Sequence, residues 1–279
     1  MTNASEIQRN LNEIVYKALR AARLGRDVLL HYSGRLQDVQ EKHLAGLVSE
    51  ADKESERVIK AELLKQFPDF AFLGEETSTE EDLKKASKDR SPRWILDPLD
   101  GTTNYVHGLP IYGVSLALEC DGQTWVGVVD APALNEVYVA WKGGGSYVNG
   151  RKLHVSKRER LDQALLATGF ISDYEDNLVE QLRVFDGIVR QCRGVRRAGA
   201  AALDLCWVAK GAFDGYWEKN LKPWDVAAGA LIVEEAGGLV TTYTGKHHDS
   251  FSPTVIAGNP PVARALSAAI VPFLSPATV

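Results

Sequence analysis

The segment that most constrains the fold is WILDPLDGTTNY, residues 94–105, in which an apolar run ends in two aspartates. An apolar run of this kind is typical of a strand buried in a sheet. Asp97 and Asp100 stand where that strand would end, with Pro98 between them and Gly101 after them. Asp-Pro is also a common way to begin a turn. The segment therefore predicts either a polar turn or a buried strand that delivers two carboxylates to a positive ligand.

Strand-like runs surround this segment in the first half of the chain. Residues 70–73 precede it, and YGVSLALE, TWVGVVDAP and EVYVAW follow it, all rich in β-branched and aromatic residues. In GGGSYVNGRKL the spacing of Gly145 and Gly150 is similar to that of a phosphate-binding loop, but no Lys-Ser or Lys-Thr pair follows. Asn149-Gly150 predicts a type I′ hairpin turn instead.

From about residue 161 strands and helices alternate, which predicts a sheet flanked by helices. ALLATGF predicts a strand before a helix over about residues 177–192, AALDLCWVAKG a helix, FDGYWE a strand and WDVAAGALIVEEAGG a helix. Two further strand-like pieces and a final helix follow. We expect a soft boundary near residues 150–160, with an N-terminal α+β part over 1–150 and a C-terminal α/β part over 151–279 that form one catalytic unit.

Two helices are predicted before the first strand. Apolar residues from 7 to 22 follow helical spacing after Ser5, a candidate N-cap. A second helix is expected over about residues 49–67, and Pro68 ends it. The charged segment TSTEEDLKKASKDRSPR has no apolar period and predicts an exposed loop.

Bulk properties exclude several classes of protein. The net charge of −5 provides no basic stripe for nucleic acid. No segment approaches the roughly 20 apolar residues of a membrane span, and the N-terminus lacks the features of a secretion signal. The three cysteines show no CxxC spacing, which favours a reducing compartment over a disulfide framework or a zinc site. We therefore expect a cytoplasmic protein without a nucleic-acid or membrane partner.

Carboxylates recur at the predicted ends of strands and starts of helices. Glu75 and Glu76 follow the first strand. Asp52 and Asp225 fall in the first turns of helices, where an acidic residue also serves as a simple cap. If they converge with the aspartates of residues 94–105, their repulsion requires a cation between them. Oxygen ligands without Cys or His at ligand spacing favour Mg²⁺ over Zn²⁺.

The residues after Asp100 have features of an anion-binding site. Gly101 lets the backbone approach a ligand closely, and Thr102 begins a short predicted helix whose free N–H groups suit a phosphate. No G-x-S-x-G elbow is present, and His247 and His248 lie in a turn-like segment where we expect them to be solvated. Cations and amide donors around one anion are typical of phosphoryl transfer.

Three blocks of the sequence resemble a known family. GEE, WILDPLDGTTNYVHGLP and PWDVAAGALIVEEAGG are similar, in order and separation, to the signature blocks of the inositol monophosphatase family, and the resemblance covers about residues 10 to 270. It implies a layered α/β/α/β/α sandwich and a homodimer. It also implies lithium-sensitive hydrolysis of phosphomonoesters that depends on two or three Mg²⁺ ions.

The resemblance assigns metal ligands as well. The implied ligands are Glu75, Asp97 and the Leu99 carbonyl for a first Mg²⁺, and Asp97, Asp100 and Asp225 for a second. Glu76 would help to place a third, weaker ion. The hypothesis is in-line attack on phosphorus by an activated water, without a covalent enzyme intermediate.

The remaining site residues follow from the same resemblance. Asp52 and Thr102 would orient and deprotonate the water, so the implied catalytic residues are Asp52, Glu75 and Thr102. The amides of Gly101 and Thr102 would hold the phosphate. The implied substrate-binding residues are Asp100, Gly101, Thr102, Ala201, Glu218 and Asp225, with a backbone group at Ala201 against a sugar-like ring and Glu218 on substrate hydroxyls.

Several substrates and one other role remain open. Inositol 1-phosphate is the first choice, and fructose 1,6-bisphosphate, histidinol phosphate and a nucleotide 3′-phosphate are alternatives. A mainly regulatory, protein-binding role is the rival from another class. The basic residues Arg196, Arg197, Lys219 and Lys222 either lie in solvent or, if they face the site, contact a second phosphate on the substrate.

Overall fold

Seven strands make up the larger sheet of the computed structural model, which describes residues 4–36, 38–42, 46–170 and 176–275. Their spatial order is their chain order, as expected for strands that follow one another directly. The first two pair in parallel, and every later neighbour is antiparallel. After a ribbon of β1 (Val39–Lys42) and β2 (Gly46–Ser49), the sheet comprises β3 (Ala71–Gly74), β4 (Arg93–Asp100), β5 (Gly113–Cys120), β6 (Gln123–Ala131), β7 (Glu136–Trp141), β8 (Gly145–Val148) and β9 (Arg151–Lys152).

A smaller mixed sheet of five strands is formed by described residues of the second half. Its strands are β10 (Leu165–Thr168), β11 (Gly194–Arg196), β12 (Gly215–Lys219), β13 (Leu239–Thr241) and β14 (Thr254–Gly258), in the spatial order β11-β10-β12-β14-β13. β10, next to the edge strand β11, pairs in parallel with β11 and with the central strand β12, whereas β14 is antiparallel to both of its neighbours.

Helices form layers around the two sheets. They are α1 (Ala4–Arg9), α2 (Leu11–Tyr32), α3 (Glu50–Gln66), α4 (Glu80–Ala86), α5 (Thr102–Val106), α6 (Asp176–Val189), α7 (Ala201–Ala209), α8 (Pro223–Glu235) and α9 (Pro260–Ile270), with 3₁₀ turns at Pro132–Leu134, Leu161–Gln163 and Val271–Phe273. α2 and α3 cover the outer face of the larger sheet, α7 and α8 lie between the sheets, and α6 and α9 cover the smaller sheet. The layered α/β/α/β/α sandwich is therefore confirmed. Within the described residues none of the helices combines the length and apolar character that a bilayer crossing requires.

The helices between the sheets pack at very short range. A Cβ placed on Gly229 of α8 would lie 2.6 Å from Leu205 Cδ1 on α7, and one on Gly127 of β6 would lie 2.7 Å from the Ala228 carbonyl oxygen. Because α8 is enclosed by α7 and both sheets, it is apolar on all sides rather than along one stripe. This packing fixes the N-terminal end of α8, which carries Asp225, against the larger sheet.

The prediction of one continuous N-terminal helix was wrong, because the structure has two helices there. α1 ends at Arg9 and α2 begins at Leu11, with Asn10 between them. Ser5 lies inside α1 and does not cap it. The apolar spacing of residues 7 to 22 continues across the break, because both helices bury the same side against the outer face of the larger sheet. Periodicity alone therefore does not report the interruption.

The charged segment after Glu76 was wrongly predicted to be a loop throughout. α4 forms within it, and its N-cap Thr79 accepts from the Asp82 N–H while the Asp82 carboxylate accepts from the Thr79 N–H. No α4 residue is buried, so the helix leaves no apolar period in the sequence. The reciprocal cap is the signal that marks its start.

Two turn segments gave opposite outcomes. Asn149 and Gly150 join β8 to β9 with φ of 48° and 77°, which confirms the predicted hairpin. His247 is exposed as expected, but His248 is only 6% exposed. Its Nε2 atom has no hydrogen-bond partner within the described residues. The expectation that both histidines are solvated was therefore wrong for His248.

Candidate active site

The segment WILDPLDGTTNY is a buried strand that ends in a bulge. Asp97 lies opposite Ser115 on β5 and Asp100 lies opposite Gly113, so three steps along β4 match two along β5. Side chains alternate between the two faces of a regular strand, so residues three apart normally lie on opposite faces. The extra residue of a bulge shifts this alternation by one and puts them on the same face. Pro98 lies inside the bulge, where the strand pairing requires no N–H donor, so a proline is tolerated there. The bulge therefore directs both aspartates to one side.

The Asp100 carboxylate caps the first turn of α7. Its Oδ1 accepts from the Ala201 N–H at 3.2 Å and its Oδ2 from the Ala202 N–H at 2.8 Å. Burial raises the pKa of Asp100 to about 7, against the lowering effect of the Ala202 hydrogen bond and with a further increase from the charge of Glu218. The contact ties the end of β4 to the helix layer between the sheets.

Asp225 and Glu75 approach the same region from α8 and β3. Asp225 stands in the first turn of α8, and its Oδ2 accepts from the Lys222 N–H at 2.7 Å, so it is a helix cap as well. Glu75 directly follows β3, and its N–H donates to the Leu96 carbonyl at 3.1 Å. Because β3 and β4 are parallel, their carboxyl ends meet at one edge, which brings Glu75 beside Asp97.

These carboxylates lie close enough for their charges to act on one another. Burial raises the pKa of Asp97 well above its usual range, and the charges that raise it further are those of Glu75, Asp100 and Asp225. The Leu99 N–H, which donates to Asp97 Oδ1 at 2.9 Å, acts in the opposite direction. Burial also raises the pKa of Asp225 well above its usual range, followed by the charges of Glu75 and Asp100. Negative charge is therefore costly in this cluster, and a cation bound there would reduce the cost.

The donor set fits a hard divalent cation by charge and atom type. Every predicted ligand here is an oxygen, which suits Mg²⁺. Over residues 4–36, 38–42, 46–170 and 176–275, no group of three or more His, Cys, Asp or Glu side chains is already arranged to hold an ion. Both oxygens of Asp100 point at helix amides instead. An ion shared by these carboxylates would require Asp100 to turn at least one oxygen away from these amides.

Asp52 and Thr102 form a pair beside the cluster. Asp52 is fully buried in the first turn of α3, where its Oδ2 accepts from the N–H and the hydroxyl of Ser49 at 2.8 and 2.6 Å. Its Oδ1 lies 3.1 Å from the Thr102 hydroxyl, which is also 3.0 Å from the Leu99 carbonyl. The capping box thus fixes the orientation of the carboxylate that Thr102 contacts.

Gly101 makes the sharp change from β4 to α5 possible. Its φ is +87°, a left-handed conformation that favours glycine, and a Cβ there would lie 2.8 Å from the Ile111 carbonyl oxygen. As the N-cap of α5 it places the free N–H groups at the start of Thr102–Val106 next to the carboxylates. The first amides of α5 therefore follow Asp100 directly in the chain.

A cavity of about 230 Å³ opens beside the cluster. Its lining includes the expected site residues Asp100, Ala201, Glu218 and Asp225, together with Asp204 and Arg197. Burial raises the pKa of Glu218 to about 7, while the hydrogen bond from the Tyr216 hydroxyl and the charge of Arg197 lower it. The cavity therefore offers a buried carboxylate next to the cluster, in the position where the resemblance expects the alcohol part of a substrate.

Two buried acids of this region were not predicted. Asp204 is 1% exposed, and its Oδ1 has no hydrogen-bond partner among the described residues. Glu56 is equally buried, and its Oε2 accepts from the Glu76 N–H at 2.9 Å, which places Glu76 beside it. A signal existed for each. Asp204 is an acid in the apolar helix AALDLCWVA, and Glu56 follows Asp52 by four residues on one face of α3.

Comparison with known proteins identifies the family. The family model described as "Inositol monophosphatase family" matches residues 8–275. The chain belongs to the inositol monophosphatase family. The interpretation of the three sequence blocks is therefore confirmed, and with it the classification as an inositol monophosphatase-like phosphatase.

Individual relatives carry two kinds of name. The protein named Nus factor SuhB from Pseudomonas aeruginosa is 43% identical over 263 residues, which covers 93% of this chain and 96% of the relative. The Inositol-1-monophosphatase of Mesorhizobium japonicum is 41% identical over 266 residues, with 93% and 95% covered. A crystal structure of extragenic suppressor protein suhB from Bartonella henselae superposes with a TM-score of 0.83 at 39% identity, covering 92% of this chain and 98% of that one.

Proposed function

We propose that the chain is a Mg²⁺-dependent phosphomonoesterase acting on polyol phosphates, with inositol 1-phosphate as its substrate. The observation that carries the proposal is the convergence of four carboxylates, from β3, β4 and α8, on one region where burial and mutual repulsion raise the pKa values of the aspartates. Buried like charges require a counter-cation. The relative from Mesorhizobium japonicum, which is named Inositol-1-monophosphatase, supports the choice of substrate.

The metal ligands follow the sequence expectation. Glu75, Asp97 and the Leu99 carbonyl would hold one Mg²⁺, Asp97, Asp100 and Asp225 a second, and Glu76 a third, weaker one. When bound, Mg²⁺ lowers the pKa of water and stabilises negative charge on phosphate and leaving oxygens. A small monovalent cation such as Li⁺ would compete for the same oxygens and inhibit.

Asp52 and Thr102 are proposed to prepare the water for attack. The Thr102 hydroxyl donates its proton toward Asp52 Oδ1, so its lone pairs remain to accept from a water. Asp52 cannot swing away, because Ser49 holds its other oxygen through two donors. The pair thereby orients the water and receives its proton through the threonine hydroxyl.

The substrate would bind across the two halves of the chain. The amides of Gly101 and Thr102 supply donors for the phosphate, and Glu218 accepts from hydroxyl groups of the alcohol. The Ala201 N–H already donates to Asp100, so a backbone contact to the ring at this residue would use the second lone pair of its carbonyl, beside the helix bond of α7. Residues 1–150 and 151–279 accordingly act as one catalytic unit.

Assembly and location complete the proposal. A homodimer is supported by apolar side chains that α6 leaves exposed, with Val179 at 55% and Leu182 at 51%. We expect light scattering to give twice the chain mass, and Leu182→Glu to lower it. A cytoplasmic location is supported by Cys120, Cys192 and Cys206, which are all free cysteines.

The test is phosphate release from a panel of phosphomonoesters. With Mg²⁺ we expect turnover of inositol 1-phosphate to exceed that of fructose 1,6-bisphosphate, histidinol phosphate and a nucleotide 3′-phosphate, and EDTA to abolish it. If no member of the panel releases phosphate, the proposal is refuted. Faster turnover of another member would replace only the substrate.

A regulatory role is the second candidate, because the Pseudomonas aeruginosa relative carries the name Nus factor SuhB. A role of that type depends on binding another protein and not on turnover. Asp97→Asn separates the two, since it removes a metal ligand inside the site and leaves the surface unchanged. A cellular function that persists in this variant would favour the regulatory role.

A further inference from the structure

The basic residues near the cavity differ in how they are held. Lys219 pairs with Glu180 at 2.7 Å and Lys222 with Glu80 at 2.8 Å. Arg196 is exposed, and its Nη1 reaches the carbonyl of the residue before it. Arg197 lines the cavity, and among the described residues no carboxylate lies within ion-pairing distance of it. Lys222 lines the cavity as well, but Glu80 holds its ammonium, so within the described residues Arg197 is the cavity-lining member of this group without an ion pair.

The side chains of Arg197 and Glu218 each lie against a glycine that lines the cavity. The Arg197 Nη2 donates to the Phe170 carbonyl at 3.2 Å, and a Cβ on Gly199 would lie 2.6 Å from its Nη1. A Cβ on Gly169 would lie 2.1 Å from Glu218 Oε2. The two missing side chains leave room for the guanidinium and the carboxylate to occupy the same cavity. One side chain is a donor and the other an acceptor.

The charges around Arg197 discriminate between two kinds of ligand. Burial raises the pKa of both Glu218 and Asp204, and the charge of Arg197 acts on each in the opposite direction, so its guanidinium lies near two buried acids. The raised pKa values show that this region already disfavours negative charge, so a second phosphate, which adds up to two more negative charges, fits it poorly. A hydroxyl group donates and accepts at once, so adjacent hydroxyls match an acceptor and a donor side by side.

We infer that Arg197 is a specificity-determining residue that donates to one hydroxyl of a polyol phosphate, while a neighbouring hydroxyl donates to Glu218. The inference rests on the proposed phosphatase function and names the substrate feature that the site reads. It assigns no second phosphate site to the basic residues around the cavity.

The experiment compares two adjacent arginines that carry the same charge. Arg197→Ala and Arg196→Ala are assayed with Mg²⁺ on the best polyol phosphate of the panel and on p-nitrophenyl phosphate, whose alcohol has no further hydroxyl. For Arg197→Ala we expect KM for the polyol phosphate to rise about 10- to 100-fold, because one charged hydrogen bond to the substrate is lost. We expect kcat to be retained. Its kcat/KM for p-nitrophenyl phosphate should stay within about twofold, because that substrate never makes the contact. Arg196→Ala should match the unaltered protein on both substrates.

Each other outcome decides against the inference. Equal losses on both substrates would mean that Arg197 acts on phosphate or on folding, and Arg197→Gln with a measured melting temperature separates these causes. A larger loss on fructose 1,6-bisphosphate than on the polyol monophosphate would assign Arg197 to a second phosphate. If the unaltered protein cleaves both substrates and the two variants behave alike, only the role of Arg197 fails. If it cleaves nothing with Mg²⁺, the proposed function itself fails.

Discussion

The Thr102 hydroxyl and the Asp52 carboxylate are 3.1 Å apart, which joins the first turn of α5 to the first turn of α3 across fifty positions of the chain. Both residues are held from outside the pair. Ser49 fixes Asp52 through two hydrogen bonds, and Gly101 fixes the start of α5 through its left-handed conformation. Such second contacts keep the pair in one orientation, which its proposed role in activating a water requires.

The first prediction concerns this hydroxyl. Thr102→Ala should lower kcat by about 100-fold or more at saturating Mg²⁺, because a positioned proton acceptor contributes at least that much. Thr102→Ser keeps the hydroxyl and should recover most of the rate. Thr103→Ala alters the next residue, which is exposed, and serves as the matched control. A Thr102→Ala enzyme with the kcat of the control would contradict the assigned role.

The second prediction separates metal binding from folding. Asp97→Asn should abolish Mg²⁺-dependent turnover, yet its melting temperature in EDTA should equal or exceed that of the unaltered protein. The amide oxygen can still accept from the Leu99 N–H, and one buried negative charge is removed. Mg²⁺ should raise the melting temperature of the unaltered protein and not that of the variant. Asp186→Asn, at an exposed position of α6, is the control, and near-normal turnover in Asp97→Asn would refute the metal assignment.

The third prediction tests the packing of α8. Gly127→Ala should lower the free energy of unfolding by about 1–3 kcal/mol, because the new methyl group would overlap the Ala228 carbonyl, an atom of fixed backbone. Gly194→Ala is the matched control, since the nearest atom to its Cβ would be 3.5 Å away. Urea unfolding monitored by circular dichroism gives both values. Equal stability of the two variants would show that α8 can shift to make room.

The fourth prediction is a pH dependence of stability at His248. Burial lowers its pKa to about 4, against the charge of Asp249, which raises it, and with that of His247, which lowers it further. In the unfolded chain the His248 imidazole therefore becomes protonated near pH 6.5, whereas in the folded protein it becomes protonated only at about pH 4. Stability should fall as pH decreases through this window, by at most about 3 kcal/mol, and be unaffected above it.

Variants at the two neighbouring histidines check this assignment. His248→Gln removes the titrating group, so unfolding measured between pH 7 and 4.5 should lose less stability than in the unaltered protein. His247→Gln changes an exposed side chain and should keep the full dependence. Identical pH profiles for the two variants would assign the acid sensitivity to other groups.

Prediction from the sequence succeeded where the signal was local. Asn149-Gly150 specifies its hairpin through two residues that tolerate positive φ, and the apolar run before Asp97 specifies a buried strand. It failed where a local signal was weak or ambiguous. The break at Asn10 lies inside continuous apolar spacing, and α4 has no apolar face to reveal it.

In the sequence alone, the three blocks indicated the family and, through that resemblance, the layered fold and the roles of the acidic residues. Apolar periods and caps by themselves indicated only helices around a sheet. The tertiary structure decided which acids meet and how they are held. The bulge between Asp97 and Asp100 depends on pairing with β5, and the amides of α7 reach Asp100 from a hundred positions away in the chain. Burial of Asp204 and the access of Arg197 to the cavity arise in the same way, since burial and charge proximity depend on packing and leave no period in the sequence.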